Sequence, residues 1–432
     1  MSPPSRPPPA PYAVPCYLLL VAAALCNPLS AAASPLGPCP LPAYGPSSQE
    51  DEAALMEHPE RLQWRARAAA TEHEASALRS AWEPLMVSAE LSWMPRGGDV
   101  SPLLRVMQRL PARGTREAAG QIRDIDGLRA SQEEALITLG LLRTLRTTLL
   151  QREEALRLLA LLDEELLLIE DLRRALATPL ALGRSTFQAF QALELEALDV
   201  LDRQIALRAS LSALDATLAS LLGEAYTPRV GCLPPDDPLW REHLPPDTTP
   251  GEHPALALLA LELDQYTARA HALDLSTRPA IGLMAGVGTA PQRSMGGVEP
   301  MIMVGVDLPI TTRRQPLRAE QRALDASSEA ALAALDALRR AFTAEPAALR
   351  ATWAALGDQL TRIDEASLPA LDAWVARQGA ALELGDADIA STLQLLRARR
   401  ALEERRLGIW FRRALLRAEL LWWIGSTTED IP

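Results

Sequence analysis

Lysine is missing from the chain altogether. Among its 432 residues the 43 basic ones are all arginine, they face 55 Asp and Glu, and the formal net charge is −12. Nothing here forms the dense basic patch that would release counterions from a phosphate backbone, which excludes nucleic acid as a partner. Cysteine is scarce as well: Cys16, Cys26, Cys39 and Cys232 are too few for a disulfide scaffold and match no zinc spacing. Cys39 and Cys232 remain candidates for a single bridge. Past the N-terminal region no uninterrupted apolar run reaches the roughly 18 residues of a membrane-spanning helix. Also lacking are a nucleophile motif, a phosphate loop and a dinucleotide-binding glycine pattern in a strand-to-helix context. No catalytic residue, cofactor or metal is therefore expected, and the chain is not read as an enzyme.

What is present is Leu, Ala, Glu and Arg in helical order behind an export signal. Tyr17 to Cys26 (YLLLVAAALC) is an apolar run of signal-peptide length, and Ala31-Ala32-Ala33 before Ser34 supplies the small residues that a signal peptidase needs. Residues 1–33 read as a signal peptide. The competing reading is a lipid anchor on Cys26, where the bulky Leu25 occupies the preceding position.

The chain repeats itself. His58-Pro59 starts one helical stretch and His253-Pro254 starts another, and the interval from His58 to Pro84 equals that from His253 to Pro279. Likewise, the interval from Gly183 to Gly223 equals that from Gly385 to Gly425. Two copies of one unit result, at 51–223 and 252–425, preceded by 34–50, joined by the proline-rich 224–251 and followed by the tail 426–432. Each copy carries a helix, a strand hairpin (84–110; 279–308), a long helix (112–178; 310–383) and a return helix (184–222; 386–424). His58 and His253 are thus equivalent helix-start residues and not a pair of metal ligands.

In the long helices Leu142, Leu145, Leu149, Leu156, Leu159, Leu166 and Ile169 step by three and four with one missing rung, the spacing of a coiled-coil seam. At about 1.5 Å per residue, 112–178 spans roughly 100 Å and matches the summed lengths of 184–222 and 51–82. An antiparallel rod follows, each long helix lying beside two shorter ones, with Pro346 and Pro369 expected to kink or break the second long helix.

The hairpins alternate with period two. Leu85, Val87, Leu91, Trp93, Val304 and Val306 form an apolar face suited to lipid; Ser88, Glu90, Arg105, Arg109 and Asp307 form a polar face suited to a watery lumen. Four strands leave two open edges, which lipid does not tolerate. Several chains must share one barrel, at least two copies for eight strands and three for twelve.

This duplicated order resembles the outer membrane efflux proteins of the TolC type. So do ELGDADIASTLQLLRARRALEERRLGIWFRRALLRAELLWWIG, similar to that family's tip-and-return segment, and MIMVGVDLPI, similar to its second-strand ending. The resemblance implies a homotrimer: a twelve-stranded outer-membrane β-barrel, four strands per chain, continued by an α-helical coiled-coil barrel across the periplasm of a Gram-negative-type cell. It implies a passive exit duct of a tripartite efflux or type I secretion system, with an inner-membrane pump and a periplasmic adaptor protein as partners and outer-membrane lipid around the barrel. Gly183, Arg184, Gly385, Asp386 and Asp388 then form the periplasmic tip, and 34–50 and 224–251 an equatorial belt. A secreted or periplasmic coiled-coil scaffold without channel activity is the alternative.

Overall fold

The computed structural model describes residues 48–80, 86–93, 100–110, 113–181, 187–223, 226, 232–233, 244–245, 253–278, 280–289, 298–307, 314–383 and 389–425. In chain order these form α1 (Ser48–Leu55), α2 (Pro59–Ser80), β1 (Met86–Trp93), β2 (Val100–Leu110), α3 (Thr115–Ala181), α4 (Phe187–Leu222), α5 (Pro254–Ser276), β3 (Ala280–Thr289) and β4 (Val298–Asp307). There follow α6 (Arg314–Arg362), a π-helical turn at Ile363–Ser367, α7 (Leu368–Glu383) and α8 (Ile389–Trp423).

Helix starts follow local chemistry. Pro59 and Pro254 each occupy the first helical position, where no N–H is missed. The preceding histidine caps: His58 Nδ1 accepts from the Glu60 N–H at 3.4 Å, and His253 Nδ1 from the Ala255 N–H at 3.1 Å. The cap at His58 divides the helical stretch expected from residue 51 into α1 and α2. Gly114, at φ 94°, turns the chain from β2 into α3, a conformation that a side chain would strain.

The proline expectation needs correcting. Pro346 lies inside α6 without ending it, buried beside Phe342 one turn earlier. Burial of both residues on one helix face offsets the lost hydrogen bond. The irregularity lies instead in the π turn, just before Pro369. Opening the ladder there spares the clash of the ring with the carbonyl of the preceding turn, and leaves Pro369 in the first turn of α7.

The described residues divide into two compact units, to both of which α3, α6 and α8 contribute. One unit comprises the stretches 145–244 and 349–418 together with the residues before α1's midpoint. In it α4 runs antiparallel to α3, paired through Arg173 with Glu194, Gln204 Nε2 donating to Asp163 at 2.7 Å, and Arg152 with Asp215 at 2.7 Å. Leu162, Ile169 and Leu172 of α3 pack with Leu193 and Val200 of α4 and Leu396 of α8. Each such side chain removed from water contributes about 2 kcal/mol. The missing rung of the α3 seam is filled by charge: Arg152 and Glu153 are buried there. Glu153 pairs with Arg157 at 3.0 Å and accepts the Leu233 N–H at 3.1 Å, which holds part of the 224–251 segment against α3. Cys232, next to it, is disulfide-bonded. Cys16, Cys26 and Cys39 lie outside the described residues.

The other unit comprises 52–144, 245–348 and 419–432. Here α2 runs antiparallel to the first part of α3, through Arg79 with Asp124 and both Arg61 and Arg65 with Glu134 at 3.1 Å. Gly120 and Gly127, two helical turns apart, admit that approach. A Cβ on Gly120 would stand 2.8 Å from Arg79 Cγ, and one on Gly127 3.0 Å from Thr71 Oγ1. In this unit a core cluster gathers Leu256 of α5 and Leu335 and Phe342 of α6, with Trp423 of α8 against them. His253 belongs to the same cluster, its ring 4.4 Å from Phe342 and its Nε2 3.0 Å from the Trp422 carbonyl.

The strands form one antiparallel sheet of order β1-β2-β3-β4. Pairing of Val87 with Val106, Leu104 with Val287 and Leu283 with Val304 fixes the register.

Candidate functional site

Because cross-strand partners share a face, the register sorts every strand residue to one side of the sheet. Val87, Leu91 and Trp93 of β1 fall on one side with Leu104 and Val106 of β2, Leu283 of β3 and Val304 and Val306 of β4. On the other side lie Ser88 and Glu90, then Arg105 and Arg109, then Asp307. On the first side Val87 is 62 % exposed and Leu104 50 %. Large apolar residues standing open on a sheet face mark a surface that something else covers. Leu85 lies outside the described residues, and so do Gly183, Arg184, Gly385, Asp386, Asp388 and Cys26.

Alternation in the sequence assigns residues to faces within a strand, but not to rungs between strands. The register adds one: Met86 pairs with Met107, Met107 with Met284, and Met284 with Met303. Seven of the nine methionines occurring in or between the strands was a signal available in the sequence; their alignment was not.

A second polar arrangement joins α3, α4 and α8. Arg397 of α8 pairs with Glu196 of α4, Arg203 of α4 with Glu404 at 2.5 Å, and Arg400 with Glu164 of α3 at 3.3 Å. Glu165 lies buried among them, and its Oε2 has no hydrogen-bond partner among the described residues. Burial pushes the Glu165 carboxyl above its usual range, with Arg400, Arg203 and Arg397 opposing and Glu404 assisting. Arg397 is drawn down to about 9 by burial, with Glu165 opposing. This cluster ties α8 to the α3–α4 pair.

Among the described residues no group of His, Cys, Asp and Glu is arranged to hold a metal ion. Among the described residues one helix, α4 over Phe190–Leu222, is long and apolar enough by composition to cross a membrane, although charges interrupt it. Glu194, Glu196 and Arg203 pair with neighbouring helices, while Leu195, Leu198, Leu201 and Ile205 are exposed.

No protein-family model matches the chain, and no curated protein matches it in sequence. Solved structures do. CusC, described for the conformational changes that accompany folding and transmembrane channel formation, aligns at TM-score 0.75 and 15 % identity over 90 % of this chain and 97 % of its own. The outer membrane protein VceC of Vibrio cholerae aligns at 0.70 and 14 % over 88 % of this chain and 96 % of its own. The open-state MtrE outer membrane channel of Neisseria gonorrhoeae aligns at 0.71 and 14 % over 88 % and 89 %. The chain has the fold of the TolC-type outer membrane efflux channels.

Proposed function

We propose that the chain is one subunit of an outer-membrane channel of a Gram-negative-type cell. It conducts substrate passively to the outside, within a tripartite efflux or type I secretion system. One observation carries the reading: a four-stranded sheet with an exposed apolar face whose outer strands, β1 and β4, each pair on one side only among the described residues. In lipid those edges must be closed by further strands. Three copies supply twelve and make a barrel of accepted size. The exposed Leu195, Leu198 and Ile205 of α4 offer a further surface that sister copies would cover.

In that assembly Val87, Leu91, Trp93, Val304 and Val306 face lipid, and Ser88, Glu90, Arg105, Arg109 and Asp307 face the lumen. Gly183, Arg184, Gly385, Asp386 and Asp388 belong to the periplasmic tip, where pump and adaptor dock. The order of elements supports the duplication into 51–223 and 252–425. Residues 1–33 direct export and are then removed, with acylation of Cys26 as the alternative.

Migration of the membrane fraction with and without heating, together with planar-bilayer recording, tests the proposal. A heat-modifiable oligomer with stepwise conductance is expected. A water-soluble, non-conducting product would assign the chain to the scaffold class instead.

A further inference from the structure

The two ends of the sheet carry different charge. Where strands pass to helices, the five described residues of each leg nearest the sheet are 76–80, 113–117, 274–278 and 314–318. They hold Arg79, Arg113, Arg116, Arg278, Arg314 and Arg318 against Glu117 and Asp274. At the opposite end, the segments joining β1 to β2 and β3 to β4 hold Arg96 and Arg293 against Asp99, with Glu299 next in β4. We propose that the helix-side end is an arginine collar that binds the phosphate headgroups of anionic phospholipid. The proposal rests on the channel reading, which puts the sheet in lipid.

Helix stability does not account for the collar. Arg79 and Arg278 end α2 and α5, where a positive charge suits the dipole, but Arg113, Arg116, Arg314 and Arg318 stand at the starts of α3 and α6, where it opposes the dipole. Nor does the excess continue along the rod. The next residues of α2 and α3 away from the sheet include Glu72, Glu74, Asp124 and Asp126, and the whole chain is at −12.

Strand length puts the collar at the right height. The 11 residues of β2, at about 3.3 Å each and tilted near 45°, span roughly the 25 Å apolar band of an outer-membrane barrel. Residues just past Leu110, beginning with Arg113, then fall in the headgroup layer, about 5–7 Å deep on each side of the hydrocarbon. Open apolar surface runs up to that level: Val87 is 62 % exposed and pairs with Val106, and Leu283 is 42 % exposed and pairs with Gln108 near the end of β2. Acyl chains covering those residues continue into headgroups beside the collar.

The side chains are open to such a ligand. Arg113 and Arg318 are exposed. Arg79 and Arg278 each contact a carboxylate, Asp124 and Asp274, through one terminal nitrogen, and still leave 47 % and 54 % of their side-chain surface open. A guanidinium has five N–H donors in a fork that matches two phosphate oxygens, so one carboxylate contact does not exhaust it. Near an anionic surface each arginine raises association about fivefold.

The test reconstitutes full-length protein in phosphatidylcholine vesicles with a trace of spin-labelled phosphatidylglycerol or phosphatidylcholine, and compares the motionally restricted fractions. A preference for phosphatidylglycerol that shrinks at high salt is expected. Arg113→Gln with Arg318→Gln should cut the preference about fivefold or more while bilayer conductance stays unchanged. Arg96→Gln with Arg293→Gln removes the same charge from the opposite end and should leave the preference intact. Equal association of the two lipids, equal loss in both double variants, or displacement of the labelled lipid by excess inorganic phosphate overturns the collar. Conductance without a lipid preference sinks the collar alone, whereas a protein that neither inserts nor conducts sinks the channel reading and the collar with it.

Discussion

The two units of the chain are held together by different physics. Among the described residues every buried Arg, Asp and Glu belongs to the unit built on 145–244 and 349–418, including Arg146, Arg152, Glu153, Arg157, Glu165 and Arg397. The other unit buries Thr138, Gln265 and His253, and closes on Phe342 and Trp422, rings 6.5 Å apart, with Trp423 at 4.9 Å from Phe342. The same long helices, α3, α6 and α8, supply both solutions. Buried ion pairs add little net stability over an apolar core, but they punish any arrangement that leaves one partner behind. Aromatic closure tolerates small shifts and loses energy in proportion to area. The first unit is therefore the more exacting about geometry, and the second the more forgiving.

The largest effect should come from the ion pairs. Glu153→Ala removes the partner of Arg157 and the acceptor of the Leu233 N–H. The expected cost is roughly 3–5 kcal/mol, read as faster amide exchange confined to the 145–222 helices. Exchange that rises equally in both units would break the contrast. Next comes Phe342→Ala, expected to cost about 3 kcal/mol and to raise exchange in α5 and the first part of α6 while sparing the ionic unit.

Smaller, but opposite in sign between the units, is the response to acid. Burial holds His253 below its ordinary value, opposed by the Trp422 carbonyl. Its neutral ring is the folded form, so its stabilisation is complete above about pH 6.5 and is lost as pH falls through the lowered value. At stake is an N-cap worth about 1 kcal/mol. Glu165 runs the other way. Its raised value means that the charged form is penalised at neutral pH, and the penalty is relieved as pH falls through that value. Acidification through these values should lower protection against exchange, measured relative to the intrinsic rate at each pH, at the start of α5 and raise it where α3, α4 and α8 meet. His253→Asn should flatten the first response and Glu165→Gln the second; parallel changes in both regions would refute the assignment.

Much of this was legible in the residues. His-Pro pairs announced both helix starts, because a capping ring before a proline has few other uses. Period-two alternation marked the faces of the hairpins, and the leucine seam from Leu142 to Ile169 marked α3. Arg152 and Glu153 appeared only as a gap in that seam, since a charge reads as exposed until its partner is known, and Asp215 lies in another helix. Pro346 looked like a break because local rules do not register that Phe342 and Pro346 are buried together.

Periodicity, caps and turn residues determined the elements by themselves, since each acts over only a few positions along the chain. Pairings distant in sequence waited on the tertiary structure: which carboxylate meets which arginine, where the helix ladder opens into a π turn, and which methionines share a rung. Register and side-chain partnership depend on how strands and helices meet, and a one-residue slip would have left every local pattern intact while pairing each strand with the wrong face of its neighbour.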